Sequence, residues 1–213
     1  MRIIKQRYKQ EYVCIIKMEN NMDKIKVIAI CGKAGSGKDT IMRLLFESHP
    51  DSNLNKIIPV TTRPMREGES QGNPYNFISK EDYAQLLLNS GLIEATSFRD
   101  WFYGTPLWTL DINKVNVGVF NLEAIECLMQ DDRLDVTVVF ISASAKIRLL
   151  RQLNREDNPD VEEIIRRYGA DEADFQALGI DYEYLALDND SSDKTQLDVV
   201  CEKLFEITQS QNN

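Results

Sequence analysis

The run Gly32-Lys33-Ala34-Gly35-Ser36-Gly37-Lys38 follows the pattern G-x-x-x-x-G-K. Glycines at this spacing let backbone N–H groups turn toward one point and cradle phosphate oxygens, and the closing lysine reaches the β- and γ-phosphates. The helix expected to begin at about Lys38 adds its N-terminal partial positive charge. Asp39 stands where the pattern usually carries a Ser or Thr hydroxyl for Mg²⁺, and Thr40 brings a hydroxyl one residue late. A carboxylate is a good hard ligand for Mg²⁺, so Asp39 is the candidate for the metal, directly or through water. The chemistry offered by residues 32–40 is ATP binding with Mg²⁺. A plain glycine turn is the competing reading, and the apolar run before the loop and the helix after it argue against it.

Two arginine clusters have a related chemistry. Thr61-Thr62-Arg63-Pro64-Met65-Arg66-Glu67-Gly68-Glu69 is followed by Gly72, Tyr75 and Phe77. Two arginines three residues apart with a tyrosine nearby make a compact anion clamp, because guanidinium grips phosphate bidentately. A solvated polar loop accounts for that spacing equally well. Arg151, Arg155 and Arg167 lie on two expected helices around Asn158-Pro159. Arg151 and Arg155 are four apart and share a helical face. Converging arginines stabilise charge on a transferring phosphoryl group. Glu162 and Glu163 also offer surface pairs, so a solvated charged hairpin is the alternative.

The elements that must carry these clusters are legible as hydrophobic runs. Lys26–Cys31 is apolar and rich in β-branched residues, as a strand buried on both faces requires. Residues 39–46 read as a helix stopped by Pro50, Val115 to Leu122 as a strand followed by a helix through Met129, and 136–141 as a third buried strand. Helices are expected at 146–154 and 160–175, a last strand at 184–187 and a last helix at 196–207. From Ile57 to Trp108 short strands and turns dominate, with one helix at about 80–89, as in an inserted subdomain. Strands alternating with helices predict an α/β fold of the P-loop kind, a mostly parallel sheet flanked by helices.

Composition narrows the function. The 213 residues carry a net charge of −9 with 43% hydrophobic residues, enough for a real core. A long nucleic-acid polyanion needs a basic surface and is excluded as an expected partner. No segment has the apolar length to span a bilayer. The four cysteines, Cys14, Cys31, Cys127 and Cys201, form no C-x-x-C pair and read as buried free thiols of a reducing, cytoplasmic compartment. His49 reads as a solvent-exposed residue near a helix C-terminus. Residues 1–23 are basic and lack a core pattern, so they read as a poorly ordered extension.

The string TTR-x-x-R-x-G-E, then G-x-x-Y-x-F, resembles the GMP-binding signature of the guanylate kinase family. Ile93-Glu94 and Tyr103-Gly104-Thr105 match that family's downstream pieces, and the likeness spans about residues 25–205. The resemblance implies that Arg63, Arg66, Tyr75 and Tyr103 hold the acceptor's phosphate. It implies that Glu94 accepts hydrogen bonds from guanine N1–H and the 2-amino group, and that Thr105 offers its hydroxyl to O6. Arg151, Arg155 and Arg167 would be lid arginines, acting with Lys38 in catalysis. Two positions depart from the family. Pro59 replaces a serine that contacts the base, and Asn121 replaces the strand-end aspartate near Mg²⁺, while Glu123 keeps the second acid of that pair. Gly37-Lys38-Asp39-Thr40 resembles the loop of phage-type deoxynucleoside monophosphate kinases.

The implied reaction is transfer of the ATP γ-phosphoryl group to GMP or dGMP, by a monomer or homodimer. The expected organisation is a guanylate-kinase-like domain over 24–213, with a core of 24–57, 106–145 and 176–210, an acceptor-binding part at 58–105 and a lid at 146–175. The alternatives are a deoxynucleoside monophosphate kinase of other or broader base specificity and a non-catalytic scaffold domain that binds phosphopeptides in the same cleft. A scaffold has no use for Lys38 and an intact glycine loop.

Overall fold

The computed structural model describes residues 24–155, 158–177, 184–190 and 194–210. The basic extension with Cys14 lies outside these residues. The run around Ile28 is strand β1 (Ile25–Cys31), and its alternate residues serve opposite faces. Ile28 and Ile30 pack with Ile41, Met42 and Leu45 of α1 (Lys38–Ser48) and with Val200, Cys201 and Leu204 of the final helix. Val27, Ala29 and Cys31 pack instead with Ala124, Ile125 and Leu128. Successive side chains of a strand point to opposite faces, so a continuous apolar run requires cover on both.

β1 is the central strand of a five-stranded sheet. The order is β2 (Leu54–Lys56), β7 (Val115–Val119), β1, β8 (Leu134–Ser142), β9 (Tyr184–Asp188), and every pairing is parallel. The three-residue edge strand β2 has too short an apolar signal to be read from sequence. The expected strand over 115–122 ends at Val119, because Asn121 caps α3 (Leu122–Gln130) by accepting the Ala124 N–H at 2.8 Å.

Between β2 and β7 the chain builds a second sheet in the order β4 (Asn76–Phe77), β3 (Val60–Thr61), β6 (Trp101–Pro106), β5 (Leu92–Phe98). Helix α2 (Lys80–Leu88) is capped by Ser79, and its buried Tyr83 donates its hydroxyl to the Tyr103 carbonyl at 2.8 Å. After β8 come α4 (Ala145–Leu153) and α5 (Val161–Ala177), and α6 (Lys194–Ser210) closes the chain.

Two expectations need correction. His49 is not solvent-exposed: its ring stacks on Phe205 of α6, with centroids 3.7 Å apart and planes 3° apart, and Nε2 lies 3.3 Å from Glu202. His49 is the C-cap of α1, which packs on α6, and the aromatic contact draws the ring inward. Of the cysteines, Cys31 and Cys201 are buried free thiols, but Cys127 is exposed. Among the described residues no helix is long and apolar enough to cross a membrane.

Candidate active site

The glycine-rich run leaves the C-terminal end of β1, the side on which parallel α/β sheets bind ligands. Gly35 and Gly37 adopt positive φ of 79° and 90°, which side chains rarely tolerate. A Cβ on Gly37 would also come within 2.4 Å of the Asn189 amide. Asn189, buried just past β9, donates that amide to the Ser36 carbonyl at 2.7 Å. Arg151 donates to the carbonyls of Gly35 and Ser36 at 3.3 and 3.2 Å, and to the Asn189 carbonyl at 2.9 Å. A trans peptide points its C=O and N–H in opposite directions. Fixing the Ser36 carbonyl therefore turns the Gly37 N–H to the other side of the loop. Sequence reasoning missed Asn189, whose only signal is an Asx residue at the end of a short apolar strand.

A cavity of about 820 Å³ opens beside this loop. Gly32, Ala34, Lys38 and Asp39 line one part of it, and Lys38 Nζ lies 3.9 Å from the Asp39 carboxylate. Asn121 and Glu123, at the start of α3, line another part. Asn121 Oδ1 is already committed to the helix cap, so it is poorly placed to replace a metal-binding aspartate. The described residues contain no cluster of three or more His, Cys, Asp or Glu side chains that could hold a metal ion. A lone carboxylate such as Asp39 suits Mg²⁺ that arrives already coordinated by phosphates and water.

Glu94, Thr105, Tyr75, Tyr103 and Pro59 line a further part of the same cavity. Glu94 on β5 is in register with Thr105 on β6, so the two side chains share a face. Thr105 donates its hydroxyl to Glu94 Oε1 at 2.7 Å. Glu94 is 8% exposed and Thr105 1%. Burial pushes the Glu94 carboxyl above the ordinary carboxylate range, and the Thr105 hydrogen bond works against that shift. The Thr105 proton is spent on Glu94, which conflicts with donation to a base oxygen.

Arg63 is buried beside Tyr75 and Phe77, whose ring centroids lie 5.8 and 5.5 Å from the guanidinium carbon. Its guanidinium makes a two-pronged pair with Glu69 at 2.9 and 2.8 Å. The hydrogen bond to Glu69 chiefly raises the Arg63 pKa, and Glu69 is held below its ordinary range by the same bond. Arg66 is exposed, with its backbone N–H on Glu69. The arginines of α4, α5 and the link between them are not gathered on the cavity, and Arg155, expected on one helical face with Arg151, lies past the end of α4. Arg151 serves the loop carbonyls, Arg155 is exposed, and Arg167 pairs with Glu163 at 2.7 Å. Helix α5 instead brings Asp171, Asp174 and Phe175 to the cavity wall.

The family model for guanylate kinase matches residues 24–210. The chain is 29% identical over 182 residues to the guanylate kinase of Nostoc sp. (strain PCC 7120 / SAG 25.82 / UTEX 2576), covering 80% of this chain and 89% of that protein. It is 30% identical over 168 residues to the guanylate kinase of Agrobacterium fabrum (strain C58 / ATCC 33970), covering 77% and 75%. Its fold superposes on the crystal structure of guanylate kinase from Anaplasma phagocytophilum with a TM-score of 0.60 at 24% identity, covering 90% and 88% of the two chains.

Proposed function

The chain belongs to the guanylate kinase family, and from that premise we propose that it transfers the γ-phosphoryl group of ATP to GMP or dGMP, giving ADP and the diphosphate. The observation that carries this reading is the buried Glu94 in the same cavity as Lys38 and the phosphate loop. A carboxylate accepts two hydrogen bonds from guanine N1–H and the 2-amino group. Adenine offers no such donor pair, and a site built for buried polar partners rejects a ligand that leaves them unpaired.

The residues take the following parts. The loop amides and Lys38 hold the donor's β- and γ-phosphates and stabilise charge as the phosphoryl group moves. Arg63, Tyr75 and Tyr103 bind the acceptor phosphate, with Arg66 reaching in from the exposed loop. Glu69 keeps the Arg63 guanidinium aimed. Thr105 orients the Glu94 carboxylate instead of contacting O6. Arg151 and Asn189 keep the phosphate loop in shape. Arg155, past the end of α4, and Arg167 on α5 join the transferring phosphoryl group only after the lid rearranges. The acceptor phosphate is already an anionic nucleophile, so no general base is required. Mg²⁺ bound with ATP neutralises phosphate charge, and Asp39 is the residue that fits it, directly or through water.

The test is ADP release from ATP with each of eight ribo- and deoxy-nucleoside monophosphates as acceptor. GMP and dGMP should be the best acceptors. A wild-type preference for AMP, CMP or UMP overturns the assignment to guanine.

A further inference from the structure

Helix α5 presents two successive carboxylates to the phosphate loop. Asp171 Oδ2 accepts the Ala34 N–H at 2.5 Å. Glu172 Oε2 accepts from Lys33 Nζ at 2.6 Å, and its Oε1 accepts from Arg148 at 2.5 Å. Phe175, one turn on, stands 5.3 Å from the Phe140 ring on β8 and carries Lys33 Nζ 5.7 Å from its own centroid. The helix is thereby anchored on the same wall as Gly32, Ala34 and Lys38, with Asp171 and Asp174 facing the same cavity.

A loop amide, an ammonium and a guanidinium are the donors with which proteins hold nucleotide phosphates. Here one helix satisfies all three. Arg148 is 3% exposed and stacks on Tyr168, and among the described residues its Nε and Nη1 have no hydrogen-bond partner, so the guanidinium keeps donor capacity beyond the bond to Glu172. Two anions cannot share the Ala34 amide, and like charges in one partly enclosed cavity repel.

We propose that Asp171 and Glu172 form a tethered competitor of ATP, an internal anion that occupies the phosphate loop and that the nucleotide must displace. The proposal rests on the kinase reading of the site. Displacement releases α5, the helix that carries Arg167, so donor binding and lid movement become one event.

The experiment compares the full chain with Asp171→Ala and Glu172→Gln. Binding of Mg·ATP, tripolyphosphate and GMP is measured by calorimetry, and exchange of the Ala34 amide is followed by NMR in ligand-free protein. Removing a partly exposed charged competitor should tighten ATP and tripolyphosphate by about three- to tenfold and leave GMP within about twofold. The Ala34 amide should be protected in the wild type and exchange faster in Asp171→Ala. Unchanged or weaker ATP binding in variants that melt near the wild type overturns the proposal. So does an Ala34 amide that is unprotected in the wild type, a measurement that needs no variant to fold. A chain with the expected binding response that phosphorylates no nucleotide overturns the kinase reading alone. An active GMP kinase with unresponsive variants overturns the competitor alone.

Discussion

Glu94 and Thr105 face each other across the β5–β6 ladder, and the Thr105 hydroxyl lies 2.7 Å from the Glu94 carboxylate in a pocket that leaves both buried. One carboxylate oxygen is thereby fixed, and the group is aimed as a whole. Hydrogen bonds to charged groups are worth about 1.5–3 kcal/mol each. Glu94→Gln should therefore lower kcat/KM for GMP by about a hundredfold or more, because its amide meets a base N–H donor to donor. Activity on AMP should fall far less. Steady-state kinetics on GMP, dGMP, AMP and CMP decide the matter, and equal slowing on all four acceptors removes Glu94 from base selection.

The same burial sets a pH dependence. The folded Glu94 carboxyl titrates above its unfolded value, so the native state binds more protons than the unfolded state between the two. Stability then falls as pH rises through that window. Glu94→Gln should melt higher than the wild type at neutral pH, and the difference should vanish as pH drops below the ordinary carboxylate range. GMP binding has the opposite sign, since it needs the ionised form. The KM for GMP should rise on acidification, starting above the usual carboxylate range. Melting curves and KM across pH test both signs, and a variant less stable than the wild type at neutral pH contradicts the first.

Lys38→Ala should lower kcat by about two or more orders of magnitude with little change in melting temperature, since its proposed role is to stabilise charge that develops only during transfer. Full ATP-dependent turnover in a folded Lys38→Ala protein is incompatible with the phosphate-loop assignment.

Arg63→Ala should reduce kcat/KM for every monophosphate by about tenfold or more, because its proposed contact in the substrate is the phosphate and not the base. The ratio of GMP to AMP should stay where it was. A changed ratio would place Arg63 at the base instead.

Arg151 and Arg167 should separate by phenotype. Arg151 ties α4 to two loop carbonyls and to Asn189, so Arg151→Ala should raise the KM for ATP and lower the melting temperature by a few degrees, on the order of 1–2 kcal/mol after allowance for partial exposure. Arg167→Ala, which among the described residues breaks a surface pair with Glu163, should spare stability and lower kcat. Loss of stability in Arg167→Ala would assign it a structural part.

What sequence made legible was local. A continuous apolar run announced β1, and the glycine spacing announced the turn that joins it to α1. Pairs that join distant segments were not visible. Asn189 and Ser36 are 153 positions apart, and Ala34 and Asp171 are 137 apart. Nothing in the composition of either segment names its partner. His49 misled for the same reason, since Phe205 turns an apparently exposed cap into a stacked contact. Arg151 was singled out for its charge, but its place beside the Gly35 and Ser36 carbonyls follows from the packing of α4 on the loop.

The central position of β1 also dictates when the donor site can exist. Ile25 through Cys31 pair in register with Leu134 through Phe140, and Gly32 is seated against the Ile141 carbonyl. During synthesis β1 and its glycine loop emerge before any other described strand, but the strand that completes their seat is added only after all four strands of the second sheet have been made. Non-local parallel pairing of this kind is slow and leaves strand edges open while it waits. A nascent chain that stops short of β8 therefore carries the whole G-x-x-x-x-G-K run and still lacks the strand against which that loop is seated.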